Sequence, residues 1–438
     1  MRVVELFCGA GGMSLGLKKA GLRVVGAFDV MPDAVATYRA NVGDHVHEVD
    51  LTDVLSIIPR IRELGPDLIT GGPPCQDYSI AGRREEGLNA RLTLAFALTI
   101  VSVRPQWFLM ENVVQAAGSQ NWAEAKAILK AAGYGISESR LNFAHYGVAQ
   151  ARRRLIVVGR LGERDNFINS ALVKAATATP MPLRSALSPQ TGLPWSHELA
   201  KLISGKHVYT RPLRAGRAVR TIDEPYSTLT RTSGEKPSAL FRERYQPHER
   251  DSAPLDQASV MNLRFLTRVQ GFPANWKWVS NNQRRIMVML ANAVPPPAAT
   301  IIGNVIYSRH LGFTSPEVEG TFRQWLVRGG RRSRATSYNI ISNLRRARNF
   351  LGGRTFADPA LELATLEATP DFANLATGTR SDLRQALLHY VDYLEDRHRR
   401  RGGSGSLAIR PVVLQRPPRF DLAASMAGVK VGKSLTSP

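Results

Sequence analysis

The segment RVVELFCGAGGMSLGLKKA, residues 2–20, decides how the rest of the chain is read. Arg2–Phe7 has the apolar, β-branched make-up of a strand. Gly9, Gly11 and Gly12 form a turn, and a helical pattern then runs to about Ala20. Glycines between a strand and a helix let the backbone approach a ligand and aim amides at it. This is not the dinucleotide fingerprint: with Gly9 and Gly11 as the first two glycines, the third place holds Ser14. Outward from the turn the rhythm repeats. Arg23–Asp29 reads as a second strand, and Pro32 is placed to open a helix, where its missing N–H is harmless. His45–Val49, Asp67–Thr70, Trp107–Met110 and Leu155–Gly159 read as further strands, and 53–64, 92–103 and 121–132 as helices. This alternation predicts a parallel sheet with helices on both faces and a ligand at the carboxyl ends of the strands.

Beyond about residue 160 the rhythm stops. Pro, Ser, Thr and Arg dominate 176–260, which predicts a separate, irregular or β-rich unit. Apolar patterns return at Leu263–Gln270, Gln283–Leu290 and Ala298–Tyr307. Helices are predicted again at 336–351 and 380–400, and Gly402–Ser406 reads as a flexible break before a tail. Charge follows the same division. The 438 residues carry 58 Lys+Arg against 36 Asp+Glu, a net charge of +22. Residues 1–159 hold 17 basic and 15 acidic side chains, 160–310 hold 21 and 10, and 311–438 hold 20 and 11. A nearly neutral first unit followed by basic ones suggests that chemistry is separated from the grip on a polyanion. Two cysteines, Cys8 and Cys75, exclude a disulfide-built fold and point to a reducing cytosol. The longest apolar run, Leu92–Val103, is too short to cross a bilayer, so no membrane association is expected.

The residues that carry chemistry fall where strands end. Asp29 closes the second strand, where a carboxylate can accept hydrogen bonds from a ribose diol, and Asp50 follows the third, where it could meet an adenine amino group. With the glycine turn they point to a nucleoside-type cofactor. Gly71-Gly72-Pro73-Pro74-Cys75-Gln76 follows the fourth strand. A free cysteine is usually a small buried hydrophobe, but a rigid polar loop at the ligand end of a sheet can expose a reactive one. An unperturbed thiol is only about 3% thiolate at pH 7, so a nearby cation would help it. Cys8, inside the glycine turn, reads as a packing residue. Glu111-Asn112-Val113 ends the strand from Trp107, which marks Glu111 as a held acid. In Gln150-Ala151-Arg152-Arg153-Arg154, strand alternation turns Arg152 and Arg154 to one side and Arg153 to the other.

In this order the motifs resemble those of the DNA cytosine-5 methyltransferases of bacterial and phage type. The resemblance covers about 1–310. It rests on Phe7–Gly12, Pro74-Cys75-Gln76, Glu111-Asn112-Val113 and Gln150-x-Arg152-x-Arg154. It continues through Arg264-x-x-x-Arg268-Val269-Gln270-Gly271-Phe272-Pro273 and Asn292-Ala293-Val294-Pro295. It implies a Rossmann-like, seven-stranded α/β sheet dependent on S-adenosyl-L-methionine, with a smaller target recognition domain and a helical C-terminal extension. The division it implies is a catalytic core at 1–160, a recognition domain at 161–260, a return to the core at 261–310, a basic extension at 311–401 and a tail at 402–438.

The resemblance also implies roles. Phe7, Gly9, Gly11 and Pro74 would line the S-adenosyl-L-methionine pocket, with Asp29 on the ribose, Asp50 and Leu51 at the adenine, and Asn292 and Val294 closing it. Cys75 would attack C6 of a cytosine, Glu111 would hold or protonate N3, and Arg154, helped by Arg152, would contact the base oxygen and favour the thiolate. The substrate would be double-stranded DNA, with its target base flipped out of the stack. Gln76, Ser79, Arg83, Arg84 and Arg91 would belong to a lid contacting phosphates. Arg211, Arg214, Arg217, Arg220 and Arg231, with the segment Thr221–Pro225, would read base edges or phosphates. A monomer with a cognate restriction endonuclease as partner, or an orphan or phage enzyme, would fit. Ala291 and Leu92 depart from the usual pattern, each standing where a smaller residue is common. An amino-group methyltransferase would need an aromatic after the prolines, and a transfer-RNA enzyme of this fold a Cys-Phe-Thr signature; neither is found. A catalytically weak or inactive DNA-binding subunit remains the alternative.

Overall fold

The computed structural model describes residues 1–74, 88–188, 192–212, 216–314, 318, 320–328 and 332–400. The first unit alternates β1 (Arg2–Leu6), α1 (Gly12–Lys19), β2 (Arg23–Asp29), α2 (Pro32–Asn41), β3 (Val46–Glu48), α3 (Val54–Glu63), β4 (Leu68–Gly71), α4 (Leu88–Val103), β5 (Trp107–Val113) and α5 (Gln120–Ala131). It continues with β6 (Tyr134–Asn142), the short β7 (Gln150–Ala151) and β8 (Arg153–Leu161). Seven strands form one sheet in the order β3-β2-β1-β4-β5-β8-β6.

Three details differ from the sequence expectation. β1 ends one residue early, because Phe7 takes a left-handed conformation (φ 56°). β5 runs on through Glu111 to Val113, so those residues lie inside the strand. The sheet is not wholly parallel: β8 inserts antiparallel between β5 and β6. The strand β6 was missed because YGISESRLN alternates with serines that read as solvent-facing. Ser137 and Ser139 are in fact buried, Ser137 accepting from the Ile168 amide at 3.3 Å and Ser139 donating to Asn169 Oδ1 at 3.2 Å.

One face of the sheet packs on Ile57, Ile61, Phe96, Ile100, Trp122 and Leu129 from α3, α4 and α5. The other face packs on α1 and on α12 (Pro296–His310), which follows α6 (Asn169–Lys174), α7 (Leu183–Leu187), α8 (His197–Gly205), α9 (Ala239–Arg244), α10 (Leu263–Val269) and α11 (Gln283–Asn292) in the chain. Gly12 and Gly16 face α12 and the turn before it: a Cβ on Gly12 would collide with the Val294 carbonyl, and one on Gly16 with Ala299 and the Pro296 carbonyl. The C-terminal part of the core is thereby seated directly on the first helix. Gln283–His310 is the one stretch of described residues long and apolar enough to span a membrane; it is split between α11 and α12 and mostly buried within the protein.

The intermediate unit is less separate than its composition predicts. Phe167, Ile168 and Leu172 pack in the sheet's own cluster, so the expected boundary at 161 falls too early. From Leu183 onward, Leu199, Leu202, Ile222, Tyr226, Phe265 and Phe272 share a second cluster with Tyr38, Val42 and Val46 of the sheet side. Among its described residues this unit holds only short strands: β9 (His207–Tyr209) pairs with β10 (Val219–Thr221), and β11 (Tyr226–Ser227) pairs with β7.

The extension comprises α13 (Gly320–Val327), α14 (Arg334–Phe350), α15 (Pro359–Glu367), α16 (Pro370–Ala373) and α17 (Thr377–Arg400). Its own core is built from Phe322, Leu326, Ile341, Leu344, Leu366, Phe372, Leu387 and Tyr390. It docks on the chain just past β8. Glu163 accepts from the Thr355 amide at 3.0 Å and from its hydroxyl, Arg164 pairs with Glu362, and Arg160 contacts Glu163 at 3.2 Å. The expected tail from 402 lies outside the described residues.

Replacing Gly16 with Ala forces α1 and α12 apart. It should cost about 1–3 kcal/mol of unfolding free energy, the usual range for an over-packed core, read by chemical denaturation. Gly118, where nothing lies near an added Cβ, is the control and should tolerate Ala.

Candidate active site

The carboxyl ends of β1, β2, β3, β4 and β5 and the start of the antiparallel β8 converge on one cavity of about 350 Å³. Its walls include Phe7, Gly9, Asp29, Val30, Asp50, Leu51, Pro73, Pro74, Glu111, Arg152, Arg154, Asn292 and Val294. Every expected cofactor or catalytic residue lines it except two. Cys75 lies outside the described residues, as do Gln76, Ser79, Arg83 and Arg84. Gly11 faces away: a Cβ there would sit 2.8 Å from Val42 and 2.9 Å from Tyr38. Its left-handed φ of 87° at the cap of α1, and this close packing, are what require glycine. Gly9 has open space around its missing Cβ, on the cavity side.

Asp29 does more than wait for a ligand. Its carboxylate accepts the Gly9 amide at 2.7 Å and the Met31 amide at 2.9 Å, which fixes the glycine turn against the end of β2. Each oxygen keeps a further lone pair for a hydroxyl. Burial nonetheless raises its pKa above the usual carboxylate range, making it a weaker acid. Asp50 is exposed at the rim and accepts the Thr52 amide at 2.9 Å; that bond holds its carboxyl below the usual range. Between these polar points the walls are apolar: Phe7, Val30, Leu51 and Leu92. An aromatic and aliphatic slot with two carboxylates suits a nucleoside chemically, and Glu111 lines the same cavity.

At the catalytic end, Arg154 Nε lies 2.9 Å from Glu111 Oε1, both side chains largely buried. The register of β5 with β8 places Arg154 opposite Val113, one same-face step from Glu111. Arg152 is buried and donates to the Ala291 carbonyl at 2.8 Å, which ties the arginine motif to the chain just before Asn292. Arg153 is exposed, as alternation predicts. Asn112 Nδ2 donates to the Pro73 carbonyl at 3.3 Å, so the end of β5 holds the loop that leads to Cys75. Cys8 is buried, and desolvation, reinforced by the carboxyls of Asp29 and Glu5, pushes its thiol well above the ordinary value. That suits packing and leaves Cys75 as the chain's other thiol.

Sequence reading missed two polar features. Gln150 is fully buried and donates to Gln270 Oε1 at 2.5 Å, and Gln270 donates to the carbonyls of Leu290 (3.0 Å) and Ala293 (2.7 Å). Gln150 also accepts the Leu229 amide at 2.9 Å. One amide relay therefore joins the arginine motif, the helix α10 end, the Asn292 turn and the intermediate unit. The second feature is Glu5, buried at the cavity floor. Ser14 donates to it, and Tyr38 donates to Ser14 at 2.8 Å while lying 3.0 Å from His45 Nε2.

The recognition segment is partly re-assigned. Arg217 makes a two-pronged pair with Glu224 (2.8 and 2.6 Å), and Arg220 reaches the same carboxylate at 3.4 Å. Asp223 pairs with Arg184, Ile222 is buried, and Arg211 pairs with Glu235. Arg217, Arg220 and the segment Thr221–Pro225, expected to contact DNA, hold the unit's own turn through Glu224 and Asp223. Arg231 is exposed and makes no ion pair among the described residues. Arg214 and the side chain of Arg91 lie outside the described residues.

A mostly parallel seven-stranded sheet with one antiparallel insertion, and a cleft at its carboxyl ends lined by a glycine turn and two carboxylates, define the S-adenosylmethionine-dependent methyltransferase class. Comparison with known proteins narrows this. The family model for C-5 cytosine-specific DNA methylases matches residues 1–308, and the chain belongs to that family. Among relatives, the Type II methyltransferase M.HgiDI of Herpetosiphon aurantiacus is 32% identical over 67% of this chain and 90% of its own. M.HindV of Haemophilus influenzae is 31% identical over 70% and 96%. The Dnmt2 methyltransferase of S. pombe shares the fold, with a TM-score of 0.50 at 20% identity over 70% of this chain and 97% of that one. The chain is a DNA cytosine-5 methyltransferase, and its family implies S-adenosylmethionine as methyl donor.

Burial raises the Glu5 carboxyl from 4.5 to about 8, so at neutral pH it sits protonated in the fold. The folded state holds this proton more tightly than the unfolded chain does. The stability contributed is therefore full below the ordinary carboxyl range and is lost as pH rises through about 8. Replacing Glu5 with Gln should remove that dependence. The melting-temperature difference between E5Q and wild type should move in favour of E5Q across this window and level off above it.

Proposed function

We propose that this methyltransferase attacks the C6 carbon of a cytosine, flipped out of double-stranded DNA, with the Cys75 thiolate. The supporting observation is that the Glu111–Arg154 pair, the Pro73-Pro74 loop entrance and the slot with its two carboxylates open into one cavity. In this reading Phe7, Asp29, Asp50, Leu51, Asn292 and Val294 hold S-adenosyl-L-methionine, which supplies an electrophilic methyl on its sulfonium. Gly11 shapes the turn behind it. The C5 carbon of cytosine is a poor nucleophile. Addition of sulfur to C6 breaks the ring's C5–C6 double bond and makes C5 electron-rich. Glu111 holds a proton at N3 and draws the developing negative charge toward it. Arg154, steadied by Glu111, meets the base oxygen and favours the thiolate. After C5 is methylated, loss of its proton restores the double bond and the C6–sulfur bond breaks, returning the thiolate.

Gln76, Ser79, Arg83, Arg84 and Arg91 grip the phosphates beside the extruded base, and the intermediate unit selects the sequence, with Arg231 among its DNA contacts. The acid-free stretch 263–310 and the excess of basic over acidic residues in 160–310 supply the sequence-independent attraction, which weakens as salt rises. Two relatives are Type II methyltransferases by name. We place this chain in the same setting, a restriction-modification system with a cognate endonuclease.

Bisulfite sequencing of DNA from cells expressing the protein should report C5-methylated cytosine within one short sequence. Cys75→Ala should erase methyl incorporation from labelled cofactor while leaving DNA binding intact; retained incorporation overturns the mechanism. Glu111→Gln should lower kcat by about 10²–10⁴-fold, the range of one positioned acid, with little change in cofactor Kd.

A further inference from the structure

We propose that the exposed face of α14, in the extension beyond the methyltransferase family region, is a second binding surface for duplex DNA, separate from the catalytic cleft. α14 has seventeen residues and no acidic one. Its buried side, Ser337, Ile341, Leu344, Ala347 and Arg348, packs within the extension's own core. The opposite side presents Arg334, Tyr338, Asn339, Ser342, Arg345 and Arg346, all exposed. At 100° per residue these cover an arc of about 140°. Arg334 and Arg345 stand about 16 Å apart along the axis at 1.5 Å per residue.

The chemistry of that arc is specific. Arg334, Arg345 and Arg346 make no ion pair among the described residues, whereas Arg348, on the buried side, lies 3.9 Å from Glu362. Tyr338 is 63% exposed, and its ring is covered by the Arg323 guanidinium at 4.8 Å. Residues 320–400 contain fourteen arginines and no lysine. Planar guanidinium forks match phosphate better than a point charge, and neutral Asn, Ser and Tyr donors also serve phosphates and base edges. A single helix of this kind fits the major groove, which is about 12 Å wide. An acid-free helix face with unpaired arginines is complementary to DNA, the substrate this chain already binds.

The position makes it a separate site. The extension docks on Leu161–Arg164, and Arg354 donates to the Leu161 carbonyl at 3.3 Å. Leu161 ends β8 and the other residues follow it, while Arg154 lies at its start, beside Glu111. Seven residues of strand separate the two by about 23 Å. A duplex in the cleft meets the carboxyl ends of the parallel strands; α14 belongs to a unit fixed at their amino ends. The two faces therefore engage separate stretches of DNA.

The test is stoichiometry. The full chain is titrated at low salt with a 12-bp duplex of arbitrary sequence and followed by sedimentation. Wild type should bind two duplexes per chain, and R334A/R345A/R346A one, with unchanged melting temperature and unchanged methylation of short target DNA. R334K/R345K/R346K should restore the second duplex. The salt slope of the second binding step should account for about 2–3 phosphates, at roughly 0.9 per contact. R345Q/R346Q should lose most of this step and serves as the reading if the triple change unfolds α14. Equal stoichiometry and slope in wild type and variants overturn the proposal. So does equal DNA binding with polyglutamate captured by wild type alone, which would assign the face to an acidic protein. Neither outcome depends on Cys75, so the catalytic mechanism stands or falls separately.

Discussion

The 2.9 Å contact between Arg154 and Glu111 exists because one strand runs the wrong way. In a wholly parallel sheet, the residues that enter a strand lie at its amino end, far from the ligand. β8 is antiparallel, so its first residues meet the last residues of β5. A basic motif that opens one strand is thereby laid beside an acid that closes another. Both charges are mostly buried, and either alone would carry a large desolvation cost. The inserted strand thus matters for chemistry as well as topology: it supplies the counter-charge that lets a carboxyl and a guanidinium share a cavity.

The same ends are held in place by polar bonds that water cannot easily replace. Gln150 and Gln270 are fully buried, and their relay to the Ala293 carbonyl spans three segments distant in sequence. An amide can donate and accept at once, which is why glutamine suits a junction where carbonyls and amides from different segments meet. Gln150 also accepts from Leu229, and β11 pairs with β7 beside it. The unit proposed to select sequence is therefore bonded to the strand entrance that carries Arg152 and Arg154. Gly12 and Gly16 serve the same end by close approach, seating α12 and the Asn292 turn against the cofactor end of α1.

Much of this was legible in the residues. The β/α rhythm of the first 160 residues gave the sheet, because buried parallel strands are near-continuous apolar runs. The residues that line the cavity were legible because strand ends, glycine turns and paired arginines leave local signatures. The direction of β8 was not: local pattern carries no strand polarity, and β6, with its buried serines, hid the strand that completes the sheet edge. The pairing of Arg217 and Arg220 with Glu224 was not legible, because an arginine's partner is set by tertiary contact. Glu5 went unread because the acid lies inside an apolar strand, and only burial distinguishes it from a surface charge.

The joint between core and extension is built from polar and charged contacts. Arg160 with Glu163, and Arg164 and Arg348 with Glu362, form two neighbouring and largely buried charge groups, with Arg160 over the Trp107 ring and Arg348 over that of Tyr390. Burial raises the Glu362 carboxyl despite two neighbouring arginines, so desolvation outweighs the attraction at that position. Such a network is a poor source of net stability, yet removing one member would strand the others. Its geometry is therefore selective: it tolerates one seating of the extension and penalises others. A joint of that kind, at the amino ends of the strands, keeps the arginine-rich helices out of the catalytic cleft while fixing them to the same sheet.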